Sequence, residues 1–310
     1  MVGGQAVMEG VMMRVPGAYA TAVRNSQGKI EINYNQFQSY VEKFKLENIP
    51  IIRGFIHLVD SMKIGIGTLE WSASIVEEKS KKPNKILDFF LTLFSIAFAI
   101  SLFMGIPYYI TEIGLPYIGF DSYNDFLFNT AAGSSRILIF ILYLYLISQL
   151  SDIKRLFQYH GAEHKVVYNF ESGKALDVDT AQTFSTKHPR CGTSFVFILM
   201  MVTILTYGVL DTLISNFFNI DLMIWQRILA HLICLPLVAG LGYEVLKFFA
   251  KHQKNILFKI LSKPGLWLQN ITTKEPDKSQ LEVSITALNA AFNNDVKEFQ
   301  GKKFNADAIG

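Results

Sequence analysis

Long apolar runs alternate with mixed segments along the 310-residue chain. A helix needs about 20 mostly apolar residues to cross a bilayer, because its backbone groups are then bonded internally where water is absent. Three runs meet this requirement and predict membrane spans at residues 89–110, 191–210 and 228–249. A fourth run, 137–150, is shorter and follows Arg136, so it spans only if its flanks are recruited or the bilayer thins.

The segment before the first run, residues 1–85, contains shorter patterns. Residues 19–23 and 29–33 flank the sequence Asn25-Ser26-Gln27-Gly28 and predict a β-hairpin. From Pro50 onward apolar residues recur at helical spacing, with polar residues on the opposite stripe. The apolar stripe comprises Ile52, Phe55, Ile56, Val59, Met62 and Ile66. This predicted helix either lies in the membrane interface or packs on the hairpin.

The polar segments divide the chain into three parts. Residues 86–250 form a predicted four-span membrane domain, in which residues 151–194 make a long loop between spans two and three. Residues 251–310 contain an amphipathic pattern at 279–292, which predicts a C-terminal helix, and then a polar tail beyond Asn293. The predicted fold is therefore an α-helical multi-pass membrane protein of about four spans with a small cytoplasmic α+β N-terminal part.

Lysine and arginine are distributed unevenly between the connecting segments, and this asymmetry predicts orientation. Basic residues crowd the entrance to the first span, the loop before the third span and the segment after the fourth, whereas residues 111–135 contain three acidic residues and no basic one. We therefore expect residues 111–135 outside the cell and both termini in the cytoplasm. The expected location is the cell membrane, with lipid as the immediate partner.

Composition is consistent with a chain shared between lipid and water. Half of the residues are hydrophobic and 18% are charged, and the mean hydropathy is +0.27. A soluble enzyme rarely has these values, and a chain that was only a membrane bundle would be more apolar still. The 29 basic and 26 acidic residues give a net charge of +3, which does not indicate nucleic-acid binding.

Several other function classes are disfavoured by local features. The two cysteines, Cys191 and Cys234, predict a reducing compartment rather than a disulfide framework. Residues 1–10 have neither the basic nor the apolar region of a cleavable signal. Glu9 and Arg14 lie in a Gly-rich stretch without the lysine of a phosphate-binding loop, so nucleotide binding is not indicated.

The most informative polar segment is Tyr159-His160-Gly161-Ala162-Glu163-His164-Lys165, shortly after the second predicted span. On a helix, His160 and His164 project from one face and can share one metal ion. With Glu163 they have the His-x-x-Glu-His order of the inverted zincin motif, in which the carboxylate takes a proton from water at the metal. Two histidines four apart are more often part of a solvated helix face, so the motif alone is weak.

A second polar segment, His188-Pro189-Arg190-Cys191-Gly192-Thr193, precedes the third predicted span. His-x-x-Cys spacing lets an imidazole and a thiolate bind one ion. Because spans two and three are expected to be antiparallel neighbours, both polar segments should lie at the same membrane surface. The sequence therefore predicts a zinc site with His160, His164, His188 and Cys191 as ligands and with Glu163 as the catalytic base.

The number of predicted ligands creates a conflict. Four protein ligands fill a tetrahedron and leave no position for water or substrate, which is typical of a structural site. Catalysis requires one of the four to be a non-ligand. Either His188 is free to act as an acid or base and Cys191 is a ligand, or the reverse, and the sequence leaves both arrangements open.

Further polar residues lie within the predicted spans. Asp211, Arg227 and His231 are expected toward the outer leaflet, where ion pairing would stabilise them. Glu244 lies near the cytoplasmic end of the fourth span. Glu244 either holds an imidazole of the metal site or pairs with a nearby basic residue.

Four motifs span nearly the whole chain in the order GGQAVMEGVMMR, YHGAEHK, HPRCGTSF and PGLWLQNITTKEPDKSQLEV. Together they resemble the YqhQ-like family of integral-membrane proteins, a domain of unknown function described as a predicted metal-dependent enzyme. The resemblance implies a multi-pass membrane protein. It also implies a metal at the residues that match the family's two polar motifs, which are His160, Glu163, His164, His188 and Cys191. It implies no particular reaction or substrate.

Two functions are therefore expected from different classes. In the first, the protein is a zinc-dependent hydrolase that acts on a membrane-associated substrate, with Glu163 as base. In the second, it is a non-catalytic assembly factor or scaffold for other membrane proteins, and its zinc is structural. The hydrolase-like order of the ligands favours the first function, and a complete ligand shell would favour the second.

Overall fold

The computed structural model describes residues 2–77, 85–119, 124–189, 191–251 and 256–302. Lys79, Lys81 and Lys82 at the entrance to the first span, and Arg190 in the second polar segment, lie outside these ranges. The strands are β1 (Gly3–Val7), β2 (Gly10–Val15), β3 (Ala18–Arg24) and β4 (Ile30–Gln36). The helices are α1 (Tyr40–Lys43), α2 (Pro50–Val76), α3 (Lys85–Ile100), α4 (Ile106–Tyr117), α5 (Asp125–Ile147), α6 (Ser151–Ser172), α7 (Val178–Gln182), α8 (Gly192–Phe218), α9 (Ile224–Lys251), α10 (Ile256–Thr272), α11 (Lys278–Ala291) and α12 (Val296–Phe299).

The N-terminal strands form a four-stranded antiparallel meander in the order β1-β2-β3-β4. The predicted hairpin is confirmed as β3 and β4, which pair Val23 with Glu31. At its turn the side-chain oxygen of Asn25 accepts hydrogen bonds from the backbone N–H groups of Gln27 and Lys29. The Gly-rich start of the chain, which the sequence left without strands, forms β1 and β2.

The sheet lies between helices from distant parts of the chain. One face joins α6 and α11 in a common core, to which Met13, Phe170 and Leu281 contribute fully buried side chains. The predicted C-terminal helix is confirmed as α11, which begins with a capping box between Asp277 and Gln280. The polar tail starts later than expected, because α12 follows and its Val296 joins the same core.

Helix α2 packs through its polar and small residues. The side-chain amide of Gln5 on β1 donates hydrogen bonds to the carbonyl of Gly65 and to the hydroxyl of Thr68. Asp60 is buried and accepts from the hydroxyl of Ser39 at 2.8 Å. Both expectations for this helix were incomplete, because it packs on the sheet and on α9 while most of its apolar stripe stays exposed. The exposed members of the stripe are Ile52, Val59, Met62 and Ile66, whereas Phe55 and Ile56 are partly buried.

Among the described residues, four helical stretches are long and apolar enough to cross a membrane. They are Ile86–Tyr117, Asp125–Ile147, Val196–Phe218 and Ile224–Phe248. The first consists of α3 and α4 joined by a π-helical turn, Ser101–Gly105. Its first half packs against almost nothing, and Phe94 is 68% exposed. Such an apolar surface is stable in lipid but not in water.

The second stretch differs from its prediction. Residues 111–135 were expected to form an outside loop, but α4 continues to Tyr117 and α5 begins at Asp125. Arg136, expected at the edge of the span, lies within α5. Its guanidinium donates a 2.7 Å hydrogen bond to the carbonyl of Phe103 in the π-helical turn. This apolar helix accommodates the charge because a backbone acceptor in the neighbouring π-helical turn is available.

A buried polar network connects α5, α8 and α9, and it confirms the expected pairing of Asp211 with Arg227 and His231. One carboxylate oxygen of Asp211 accepts from Arg227 and the other contacts His231, at 2.8 and 2.7 Å. Arg227 also pairs with Asp125 at 2.5 Å, and Asn129 donates to Asp211 at 2.8 Å. The charges therefore have partners where water is excluded.

Candidate metal centre

Helix α6 positions the first polar segment with its middle turns buried between the sheet and α11. His160 and His164 lie on one face, with ring centroids 4.6 Å apart and ring planes tilted by 60°. Gly161 between them allows the chain after α10 to approach, because a Cβ atom there would lie 2.1 Å from the carbonyl oxygen of Lys274. The Gly in this motif is therefore required by packing.

Backbone carbonyls orient both imidazoles. Nδ1 of His160 lies 2.8 Å from the carbonyl of Thr272, and Nδ1 of His164 lies 2.5 Å from the carbonyl of Thr186. Since a carbonyl can only accept, each Nδ1 carries the proton and each Nε2 keeps its lone pair. Metal-binding histidines are typically oriented in this way.

Cys191 completes a group of three donors. Its sulfur lies 3.2 Å from Nε2 of His160, and the ligand atoms of His160, His164 and Cys191 all lie within 4.8 Å of one another. Cys191 is the N-cap of α8, and its sulfur accepts from the backbone N–H of Thr193.

His188 lies beside this group without joining it. Its ring centroid is 5.6 Å from that of His164 and 4.5 Å from that of Tyr168. The backbone N–H and carbonyl of His188 both bond to the side-chain amide of Gln269 on α10, at 2.8 Å. Three of the four predicted ligands are thus brought together, and the role of His188 as a fourth ligand stays a prediction.

The loop that carries His188 and Cys191 is tied to α6 by Lys165, the last residue of the first motif. The buried ammonium of Lys165 donates to the carbonyls of Gln182 and Phe184, each at 2.8 Å, and pairs with Glu275. This lysine holds two chain segments at once, so it is a structural part of the motif.

Glu163 faces the donor group from the same helix. Its carboxylate is buried, and one oxygen lies 3.4 Å from Nε2 of His164. Burial lowers the pKa of His164, but the hydrogen bond to Cys191 and the negative charge of Glu163 outweigh burial and raise this pKa. Cys191 and Glu163 therefore favour positive charge on the ring of His164.

A cavity of about 270 Å³ adjoins the donor group. Glu163, His160, His164, His188 and Cys191 line one side. The other side is formed by β1, β2 and α2, and these lining residues were not predicted. They include Gly3, Gly4, Gln5, Met12, Arg14, Ser61 and Ile64. Only the alternation of β2, which points Met12 and Arg14 to one face, could have indicated part of this wall.

The turn between β1 and β2 contacts α6 near Tyr159, the residue before His160. Glu9 in this turn has a φ of 51°, which is uncommon for a residue other than glycine. Its carboxylate is bound by the guanidinium of Arg155, and the hydroxyl of Tyr159 lies 3.3 Å away. These contacts keep the edge of the sheet at the cavity.

Glu244 does not reach the donor group. Both of its oxygens accept from the guanidinium of Arg53 on α2, at 2.7 and 2.5 Å. The expectation that Glu244 holds an imidazole is therefore wrong, and its partner is a basic residue of an element distant in sequence. Gly54 and Gly240 allow α2 and α9 to lie close enough for this pair, since a Cβ at either position would meet the other helix within 3 Å.

The described residues define a mainly helical protein with four helices of membrane-spanning length and a small N-terminal sheet. A His/His/Cys donor group lies beside its cavity. The chain belongs to the family described as "Protein of unknown function (DUF1385)", whose profile matches residues 49–294. It is 30% identical over 331 residues to "Uncharacterized protein YqhQ" of Bacillus subtilis (strain 168), covering 99% of this chain and 97% of that protein.

These comparisons confirm the resemblance to the YqhQ-like family. The names of the family and of this relative mention no metal, substrate or reaction, so the metal-dependent enzyme implied by the resemblance stays a proposal. No solved structure matches the chain.

Proposed function

We propose that the protein spans the membrane and is a zinc-dependent hydrolase acting at its cytoplasmic surface. The observation that carries this proposal is the three-donor group beside a cavity lined by Glu163. Two imidazoles and one thiolate are donors that zinc prefers, and catalytic zinc sites use three protein ligands so that one position stays open. The carbonyl partners of both histidines fit the same assignment.

The chemistry is divided between the metal and Glu163. A zinc ion held by His160, His164 and Cys191 would act as a Lewis acid and make water a stronger acid. The carboxylate of Glu163 would accept the proton and later return it to the leaving group. Burial of Glu163 excludes bulk water from this proton, and the backbone bonds of the two histidines keep the donors in place.

The orientation follows from charge and connectivity. Helix α6, the start of α8 and the end of α9 lie at the same end of the bundle, and these segments carry the basic residues that favour the cytoplasm. The short connections between α4 and α5 and between α8 and α9 lie at the opposite end. We therefore place both termini and the metal centre on the cytoplasmic side.

Cysteine labelling in intact cells tests this orientation. In a Cys234→Ser background, Tyr117→Cys should react with a membrane-impermeant maleimide, because Tyr117 is 88% exposed at the outer end of α4. Lys174→Cys, exposed after α6, should react only after permeabilisation. Reaction of Lys174→Cys in intact cells would reverse the orientation.

Elemental analysis of the purified full-length protein tests the metal. We expect about one zinc per chain, as one tetrahedral site requires. His164→Ala and Cys191→Ser should each lose the metal, because each removes one of three donors. His57→Ala and Cys234→Ser are matched controls outside the donor group and should keep it. Full zinc content in both ligand variants would refute the site.

A structural site is the second candidate, and the proximity of His188 to His164 favours it. His188→Ala separates the two functions in the same assay. An open site should keep its zinc, with affinity reduced by no more than about 10- to 100-fold, as for other residues next to a metal ligand. Loss of zinc comparable with His164→Ala would show that His188 closes the shell and would favour the scaffold.

A further inference from the structure

The wall of the cavity opposite the donor group carries one cation, Arg14. Arg14 on β2 is paired in register with Gly3 of β1, and Gly4 follows, so the strand beside it presents no side chain at Gly3 and Gly4. Arg14 and Glu163 are the charged side chains that line this cavity within the described part of the chain. The cation and the proposed metal site therefore face the same space.

The guanidinium of Arg14 makes no ion pair or hydrogen bond with the residues that the structure describes. It lies 4.3 Å from the centre of the Phe37 ring. Asp60 attracts it; one oxygen of Asp60 accepts from Ser39 and from the backbone N–H of Tyr40, and the other has no hydrogen-bond partner among the described residues. Burial lowers the pKa of Arg14 more than Asp60 raises it. Arginine nevertheless stays charged.

The N–H groups of Arg14 lack a hydrogen-bond acceptor among the described residues, although its charge has a neighbour. Buried Asp60 attracts the guanidinium without a hydrogen bond to it. A ligand oxygen at the guanidinium would supply the missing acceptor.

We infer that the cavity binds a phosphate group on Arg14, so that the substrate is a phosphate-bearing molecule. A guanidinium fork binds phosphate through two parallel hydrogen bonds. The absence of a phosphate-binding loop argues against a nucleotide. Phosphate at a membrane surface has two sources, a lipid headgroup and a soluble phosphate ester. Ser61 and Ile64 of α2 line the cavity while the apolar stripe of α2 faces outward, which favours the headgroup.

The inference rests on the proposed function for the reaction that follows binding, but not for binding itself. Calorimetric titration of the full-length protein in a phosphate-free detergent tests it, after zinc content has been measured. The probes are inorganic phosphate and a short-chain phosphatidic acid. We expect Arg14→Gln to weaken binding of both at least about tenfold, since hydrogen bonds to charged groups contribute about that much.

Matched variants separate this effect from a general loss of charge. Arg14→Lys should bind more tightly than Arg14→Gln. Arg24→Gln, on β3 of the same sheet, should bind like the wild type, because Arg24 already pairs with Glu282. Tighter binding of phosphatidic acid than of phosphate identifies the lipid headgroup, and equal binding identifies a soluble ester. Equal affinity of wild type and Arg14→Gln would overturn the inference.

The test remains decisive if Arg14→Gln does not fold. Inorganic phosphate should then protect Arg14 of the wild type from phenylglyoxal, as read by mass spectrometry, and should leave the modification of Arg24 unchanged. Equal modification with and without phosphate would refute binding at Arg14. A sample without zinc would refute the proposed function, whereas protection of Arg14 in that sample would still support phosphate binding.

Discussion

Glu163→Gln is expected to reduce turnover by about 10²- to 10⁴-fold, the usual contribution of a positioned general base. The amide keeps the size of the side chain but cannot accept the proton from water. Zinc content, membrane level and thermal stability should stay close to wild type, because Glu163 is not among the three donors. The measurement compares the phosphate-bearing lipids and metabolites of cells that lack the protein with those of cells that express wild type or Glu163→Gln.

The variant should resemble the deletion, and its substrate should accumulate. Glu171→Gln, on the same helix, is the matched control and should resemble wild type. If Glu163→Gln restores the wild-type profile with a normal amount of zinc, Glu163 is not the base and the scaffold is favoured. If His164→Ala lowers the stability of the protein but leaves the lipid and metabolite profile unchanged, the metal is structural.

Asp211→Ala is expected to lower the free energy of unfolding by about 3–5 kcal/mol, the typical effect of removing one partner from a buried ion pair. Without this carboxylate, Arg227 keeps Asp125 but loses its bond to Asp211, and Asn129 and His231 lose an acceptor. Denaturant titration of the detergent-solubilised protein measures the change.

Asp221→Ala is the matched control, because Asp221 is exposed in the connection between α8 and α9. Its effect should stay within about 0.5 kcal/mol, as for other exposed positions. Arg227→Met alone and with Asp211→Ala completes a double-mutant cycle. A loss below about 1 kcal/mol for Asp211→Ala would show that the network adds little to stability.

The parts of the fold that depend on continuous patterns could be predicted from the sequence. Spans one, three and four follow from long apolar runs, and the β3–β4 hairpin follows from its turn residues. The start of the second apolar helix could not be predicted, because Asn129 and Arg136 interrupt the apolar pattern and have acceptors on other helices. The buried face of α2 could not be predicted either. It consists largely of residues with specific partners, and most of the apolar residues of this helix face outward.

The candidate site could also be predicted only in part. The spacing of His160 and His164 on a helix, and the expected antiparallel order of two spans, predicted four donors. The structure brings His160, His164 and Cys191 together, and His188 as a fourth ligand stays a prediction. Thr186 and Thr272 act through backbone carbonyls, which no side-chain pattern reveals. The position of Arg14 beside the histidines could not be predicted. It depends on the register of a strand about 150 residues away along the chain, and local periodicity does not encode such a contact.

The carbonyl of Thr272 that orients His160 comes from α10, which follows all four long apolar helices in the chain. The sheet that forms the other wall of the cavity packs on α11, which is later still. During synthesis the two histidines and the cysteine therefore leave the ribosome before the segments that support them. A chain truncated before α10 would carry all three donors without the contacts that orient them.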